Sequence, residues 1–272
     1  MKRILLSLFI IAAALSCSDK PYVVIQVSDP QLGFDADVRG NEPGAVYVDD
    51  LTFEADYLKK AVAEINSVKP DAVVFSGDLV HRSYNEHQWF TLTSILSGIN
   101  PEIKTFYIPG NHDVIVTERG VDCTPFAVYL GKDRFVHKDR GVNLVGLNTN
   151  LIKFNDRYEQ AQFDWLTDVL EKNDESEVTL VFGHHPFFKE DIDEEDSSQI
   201  QREKRRRYFD LFKSMGVDAV YAGHLHAVRE GEYEGIPMRT MTSCAYQLGE
   251  AQPSIRIITV SEKGVADEIR GL

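Results

Sequence analysis

Short apolar runs and amphipathic stretches alternate along this chain. Residues 22–28 are β-branched and apolar and end at Asp29, the pattern of a buried strand. Comparable runs at 72–76, 105–108, 142–148, 178–182, 219–221, 238–243 and 255–260 predict further strands. Between them, residues 53–68 carry Tyr57, Ala61 and Ile65 at the four-residue spacing of one helix face, and 86–96, 159–170 and 201–215 read as helices too. The alternation predicts a layered α/β domain over 22–272, with the strands crowded late in the chain forming a more antiparallel part of the sheet system. Residues 33–50 are acidic, contain glycine and show little periodicity, which predicts a loop beside a site.

At 272 residues, 43% hydrophobic and 26% charged, the chain is long enough for a core and excludes disordered, collagen-like and coiled-coil classes. Its formal charge of −14 sets it against a nucleic-acid partner. The three cysteines, Cys17, Cys123 and Cys244, are too few and scattered for a disulfide scaffold or a thiolate zinc site, so Cys123 and Cys244 read as free thiols. Residues 1–16 have a basic start and a short apolar run, the layout of an export signal. Ala14-Leu15-Ser16-Cys17 resembles the lipobox of bacterial lipoproteins. That predicts cleavage before Cys17, its lipidation, a tether over 17–21, and an exported protein held on a bacterial membrane, periplasmic or at the cell surface. Residues 190–196 hold six acids in seven positions and are followed by the basic run 202–207. A solvated acidic loop ahead of a basic helix is the plain reading, and a lid that selects substrates by charge is the functional one.

Candidate chemistry sits where strands end. Six of the eight histidines fall in short glycine-associated clusters after predicted strands: His81 in GDLVH, His112 in GNHD, His184 and His185 in GHHP, and His224 and His226 in GHLH. Asp29 adds a fifth strand end. The carboxyl ends of strands are the usual binding edge of α/β sheets, so these residues can converge. Carboxylates and imidazoles without thiolates suit two ions of manganese, iron or zinc, and such a pair activates water against a phosphoryl group.

Asp29-Pro30-Gln31, Gly77-Asp78, Gly110-Asn111-His112-Asp113, Gly183-His184 and Gly223-His224-Leu225-His226 together resemble the motifs of the calcineurin-like metallophosphoesterase superfamily. The resemblance implies a four-layer fold, two β-sheets in a sandwich flanked by helices, with a dinuclear centre at one edge. It implies that Asp78 bridges the ions, one completed by Asp29 and His226 and the other by Asn111, His184 and His224. His112, paired with Asp113, would meet the phosphate and protonate the leaving group, with His185 behind the ligands or facing the phosphate. Gln31 stands where most of the superfamily has a ligating histidine, which makes it a supporting or substrate residue and His81 the candidate replacement ligand. The DPQ motif, residues 162–166 and the acidic stretch resemble the calcineurin-like phosphoesterase domain-containing subgroup, whose eukaryotic members include protein serine/threonine phosphatases, and that likeness predicts that 190–196 border the site. The expected activity is metal-dependent phosphomonoester hydrolysis of a phosphorylated small molecule or phosphoprotein. Hydrolysis of a small or lipid-headgroup diester, and non-catalytic binding, are the alternatives.

Overall fold

The computed structural model describes residues 20–272 apart from 43–45, 47, 175, 176 and 196. The leader, the lipobox cysteine Cys17 and most of the tether lie outside the described residues. Strand β1 (Tyr22–Val27) is followed by α1 (Phe34–Gly40), α2 (Thr52–Val68), β2 (Ala72–Ser76), α3 (Glu86–Leu96), β3 (Lys104–Ile108) and a hairpin of β4 (Ile115–Thr117) and β5 (Gly120–Asp122). Then come α4 (Thr124–Leu130), β6 (Phe135–Asp139), β7 (Val142–Gly146), α5 (Thr149–Lys153), α6 (Glu159–Leu170) and β8 (Val178–Phe182). The chain continues through α7 (Arg202–Ser214), β9 (Ala219–Ala222), β10 (Glu230–Tyr233), β11 (Ile236–Thr240), β12 (Ser254–Ser261) and β13 (Gly264–Gly271). No helix among the described residues is long and apolar enough to cross a membrane.

Two mixed sheets face one another, in the orders β13-β12-β1-β2-β3 and β10-β11-β9-β8-β7-β6. Period-two alternation sorts each strand between two cores. On β1 and β2, Ile25, Val27, Val73 and Phe75 point outward onto Leu58, Ile65, Trp89 and Leu92 of α2 and α3, while Val24, Ala72 and Val74 point inward. On the second sheet, Val145, Val181 and Val220 meet Leu166, Tyr208, Phe209 and Phe212 of α6 and α7, and Leu144, Leu180, Phe182, Ala219 and Tyr221 fill the space between the sheets. Each large apolar side chain buried this way contributes about 1.5–3 kcal/mol. The result is a helix-sheet-sheet-helix stack, the layered α/β arrangement expected. Its sheets are also linked by polar contacts: Asp267 of β13 bonds both Arg256 of β12 and Arg239 of β11, and Arg256 donates to the Thr240 carbonyl.

Three expectations change. Residues 34–40 are helical: Gly33, at φ 98°, opens the turn and Asp35 pairs with Arg39 one turn on, a segment too short to show periodicity. The late strands are more antiparallel, as expected, with β10–β11 and β12–β13 antiparallel pairs, but they are divided between the two sheets. β11 runs parallel to β9 in the second sheet, whereas β12 returns to pair antiparallel with β1 in the first. The acidic stretch lies down on the basic helix: Arg206 and Arg202 pair with Asp193, and the buried Arg205 donates to the Ile192 and Glu194 carbonyls. Cys123 and Cys244 are free thiols.

Candidate metal centre

Strands β1, β2 and β3 run parallel in one sheet and β7, β8, β9 and β11 run parallel in the other, so their carboxyl ends open at one edge of the stack. The backbone there is strained. Asp29, Gln31, Asp78, His224 and His226 all have positive φ, between 41° and 69°, a conformation that costs non-glycine residues energy and collects at functional sites. Glycines let the turns close: a Cβ on Gly110 would overlap the Asp78 carboxylate, and one on Gly223 would overlap Ser28 and Asp29.

Asp78, His184 and His224 bring one ligand atom each to within 4.8 Å of one another. His184 Nε2 lies 3.2 Å from Asp78 Oδ2 and 3.2 Å from Asn111 Oδ1. Beside this group, His226 Nε2 lies 3.5 Å from Asp29 Oδ1, and Asp29 also accepts from the His224 backbone N–H at 3.1 and 3.2 Å. Three histidines share one orienting device. His184 Nδ1 faces the Ser76 carbonyl at 3.0 Å, His226 Nδ1 the Tyr246 carbonyl at 2.6 Å and His112 Nδ1 the His81 carbonyl at 2.8 Å. Carbonyls only accept, so each ring carries a proton on Nδ1, and Nε2 of His184 and of His226 faces a carboxylate, as in ligating histidines.

Electrostatics match a cation site. Burial opposes ionisation of Asp78, but His184, His112 and His224 outweigh it and hold its carboxyl well below the usual range. Asp29 is likewise held low against burial, by His226 and His184. The two carboxylates in turn raise His184 to about 9 and raise His226, while burial and the neighbouring His184 lower His224 to about 4. Two buried carboxylates among crowded imidazoles form a donor set that divalent cations stabilise, and Asn111 Oδ1 adds a neutral oxygen. The residues present therefore fit a metal.

Other expected residues take different places. Asp113 does not touch the centre: it is fully buried and accepts the backbone N–H groups of Leu79, Val80 and Gly110, tying the loop after β2 to the loop after β3. Burial and the Asp78 charge push its carboxyl up to about 8 despite these donors. His81 lies in a ring stack between Phe34 (5.0 Å) and His112 (4.8 Å). Its Nδ1 is 3.3 Å from Gln31 Nε2 and its Nε2 is 3.3 Å from Asp37 Oδ2, so both nitrogens of the expected replacement ligand face these two side chains. Gln31 is buried with its Oε1 unpartnered. His185 packs 4.4 Å from the His224 ring, its Nε2 on Asn150 Oδ1 at 3.2 Å and its Nδ1 buried without a partner.

The sequence reading missed the supports. Thr149 Oγ1 accepts from the backbone N–H groups of both His184 and His185, and Asn150 donates to the Pro109 and Gly110 carbonyls. The signal available was a polar Asn-Thr-Asn run beginning two residues after β7, close to the strand-end position of the ligands.

The sequence model of the calcineurin-like phosphoesterase family matches residues 22–228. The chain belongs to that family. It is 30% identical to the serine/threonine-protein phosphatase CPPED1 of Danio rerio, over 93% of this chain and 85% of the relative. It is 28% identical to a probable glycerophosphodiester phosphodiesterase GpdQ of Arcobacter nitrofigilis, over 70% of each. A solved dimetal phosphatase from Danio rerio superposes with TM-score 0.63 at 16% identity, covering 92% of this chain and 99% of that one. This calcineurin-like phosphoesterase carries its family's fold and a metal-binding triad, and it is a hydrolase with an active site suited to phosphate esters.

Proposed function

We propose that this phosphoesterase hydrolyses phosphate monoesters, phosphoprotein side chains among them, with two metal ions of manganese, iron or zinc. The observation that carries the reading is the convergence of Asp78, His184 and His224, with Asp29 and His226 adjoining. Asp78, Asn111, His184 and His224 would hold one ion, and Asp29, Asp78 and His226 the other. When bound, the ions supply positive charge to the phosphoryl oxygens and a water acidic enough to attack near neutral pH. The chain's own residues do the rest. His112 has its Nδ1–H committed to the His81 carbonyl, so the ring acts as the acid with a second proton, taken from solvent, on Nε2, the atom that would deliver it to the departing alcohol. The His112 backbone N–H also donates to Asp78 Oδ1 at 2.8 Å, which fixes the acid relative to the shared carboxylate. Likeness to the Danio rerio phosphatase supports the monoester and the DPQ subgroup. Likeness to the Arcobacter nitrofigilis protein favours the second reading, diester hydrolysis.

Matched assays on p-nitrophenyl phosphate and bis(p-nitrophenyl) phosphate decide between them, using protein stripped of metal and reloaded with each ion. A dominant monoester rate is expected, and a dominant diester rate reverses the assignment.

The export reading belongs to the same proposal. β1 starts at Tyr22, seven residues before Asp29, so a tether from Cys17 would join the pole remote from the metal edge, at about 3.3 Å per strand residue. Incorporation of labelled fatty acid, lost in Cys17→Ala, tests the anchor, and incorporation that persists in the variant would refute it.

A further inference from the structure

Aromatic rings lead from the metal centre to the surface. Phe34, at the start of α1, stacks 5.0 Å from the His81 ring at 8° and meets the His226 ring edge-on at 5.9 Å. Tyr246 lies 4.7 Å from Phe34, Phe53 lies 6.2 Å from Tyr246, and Tyr57 lies 5.2 Å from Phe53. The inner end is fixed, because the Tyr246 carbonyl holds His226 Nδ1. The outer end is open, with Phe53 39% exposed although it is a side chain that burial would favour.

We propose that this shelf binds the leaving group of the substrate and that the preferred substrate is an aryl phosphate ester. The inference rests on the phosphomonoesterase reading and names its substrate class. A phosphoryl group between Asp78 and His112 would place its ester oxygen on the His112 side, where the Phe34–His81–His112 stack begins. A planar ring on that oxygen can continue along Phe34, Tyr246 and Phe53 at the 4.5–7 Å separations aromatic pairs favour. A seryl or threonyl phosphate brings no ring and leaves Phe53 facing water. The chain's charge of −14 also disfavours polyanionic esters over a singly phosphorylated one.

The test compares phenyl phosphate with 2-naphthyl phosphate, whose leaving phenols are nearly equally acidic, so a rate difference reports contact area. With manganese-loaded full-length protein, kcat/KM should favour the naphthyl ester by about three- to tenfold. Phe53→Ala and Tyr246→Leu should each bring that ratio towards one, and Phe53→Tyr should restore it. A wild-type ratio near one, or a ratio unchanged in both truncations, overturns the shelf while phenyl phosphate turnover leaves the phosphatase reading standing. No turnover of either ester overturns both. Free O-phosphotyrosine against a phosphotyrosyl peptide then separates a small aryl ester from a protein side chain, and hydrolysis of phosphoserine as fast as phosphotyrosine also contradicts the proposal.

Discussion

The two halves of the proposed metal centre are built to different standards. Around Asp78, the His184 and His224 ligand atoms converge within 4.8 Å, Asn111 stands beside them, and Ser76 and Thr149 hold His184 in place. Around Asp29, the structure supplies His226 at 3.5 Å, while Gln31 is turned to His81 and keeps an unpartnered Oε1. An imidazole is a better ligand than an amide, so the Asp78 half should bind its ion more tightly. Affinity is thus set by what surrounds each carboxylate, since Asp29 and Asp78 are both buried, strained and held ionised by histidines.

The largest effect should follow from removing what the halves share. Asp78→Asn is expected to lower kcat/KM by about a thousandfold or more, because in the proposed centre this group would join both cation positions. Retention of a tenth of the activity would show that Asp78 does not bridge. Asn150→Ala removes the bonds to the Pro109 and Gly110 carbonyls and the partner of His185, and it should cost about 10–100-fold in metal affinity or rate. Metal titration of the variant by calorimetry checks this.

Gln31→His tests the weaker half directly. Supplying an imidazole beside Asp29 should tighten the second ion by about tenfold, a typical gain from one improved contact at a metal site, and unchanged binding would mean that another group already completes that half. The smallest effect on metal is expected for His81→Ala, because both ring nitrogens face Gln31 and Asp37. Metal content by elemental analysis should stay at the wild-type value, while kcat drops several-fold as His112 loses its stacking partner, about 1 kcal/mol. Loss of one ion from this variant would make His81 the replacement ligand.

What could be read from the sequence follows a physical divide. Asp78, His184 and His224 were legible because a buried strand followed by glycine and a ligating residue is a local pattern, Asp29 because it closes a buried strand, and parallel strands carry such ends to one edge. Thr149 and Tyr246 were not, since one acts through a hydroxyl at the start of α5, on backbone N–H groups 35 and 36 residues away, and the other through a carbonyl, which no residue identity reveals. Asp113 was legible as part of GNHD but not as a brace, because two of its three backbone N–H partners, those of Leu79 and Val80, lie 34 and 33 residues away on another loop. Among the strands, β2 and β8 carry short, mainly apolar, buried runs and were found with their observed limits. β10 and β13 are sheet edges with exposed, charged residues and give no such run. His81 shows the remaining gap: position three after Asp78 placed it near the centre, but its ring direction depends on Phe34 and Asp37 of a helix that has no periodicity to read.

The most direct test is a manganese titration of metal-stripped protein, following bound ion and p-nitrophenyl phosphate hydrolysis in the same samples. The account predicts no hydrolysis before metal is added, a first ion taken up tightly without full activity, and a rise in rate that tracks a second, weaker ion. Full activity in the stripped protein, or a rate that saturates with the first ion, would contradict it.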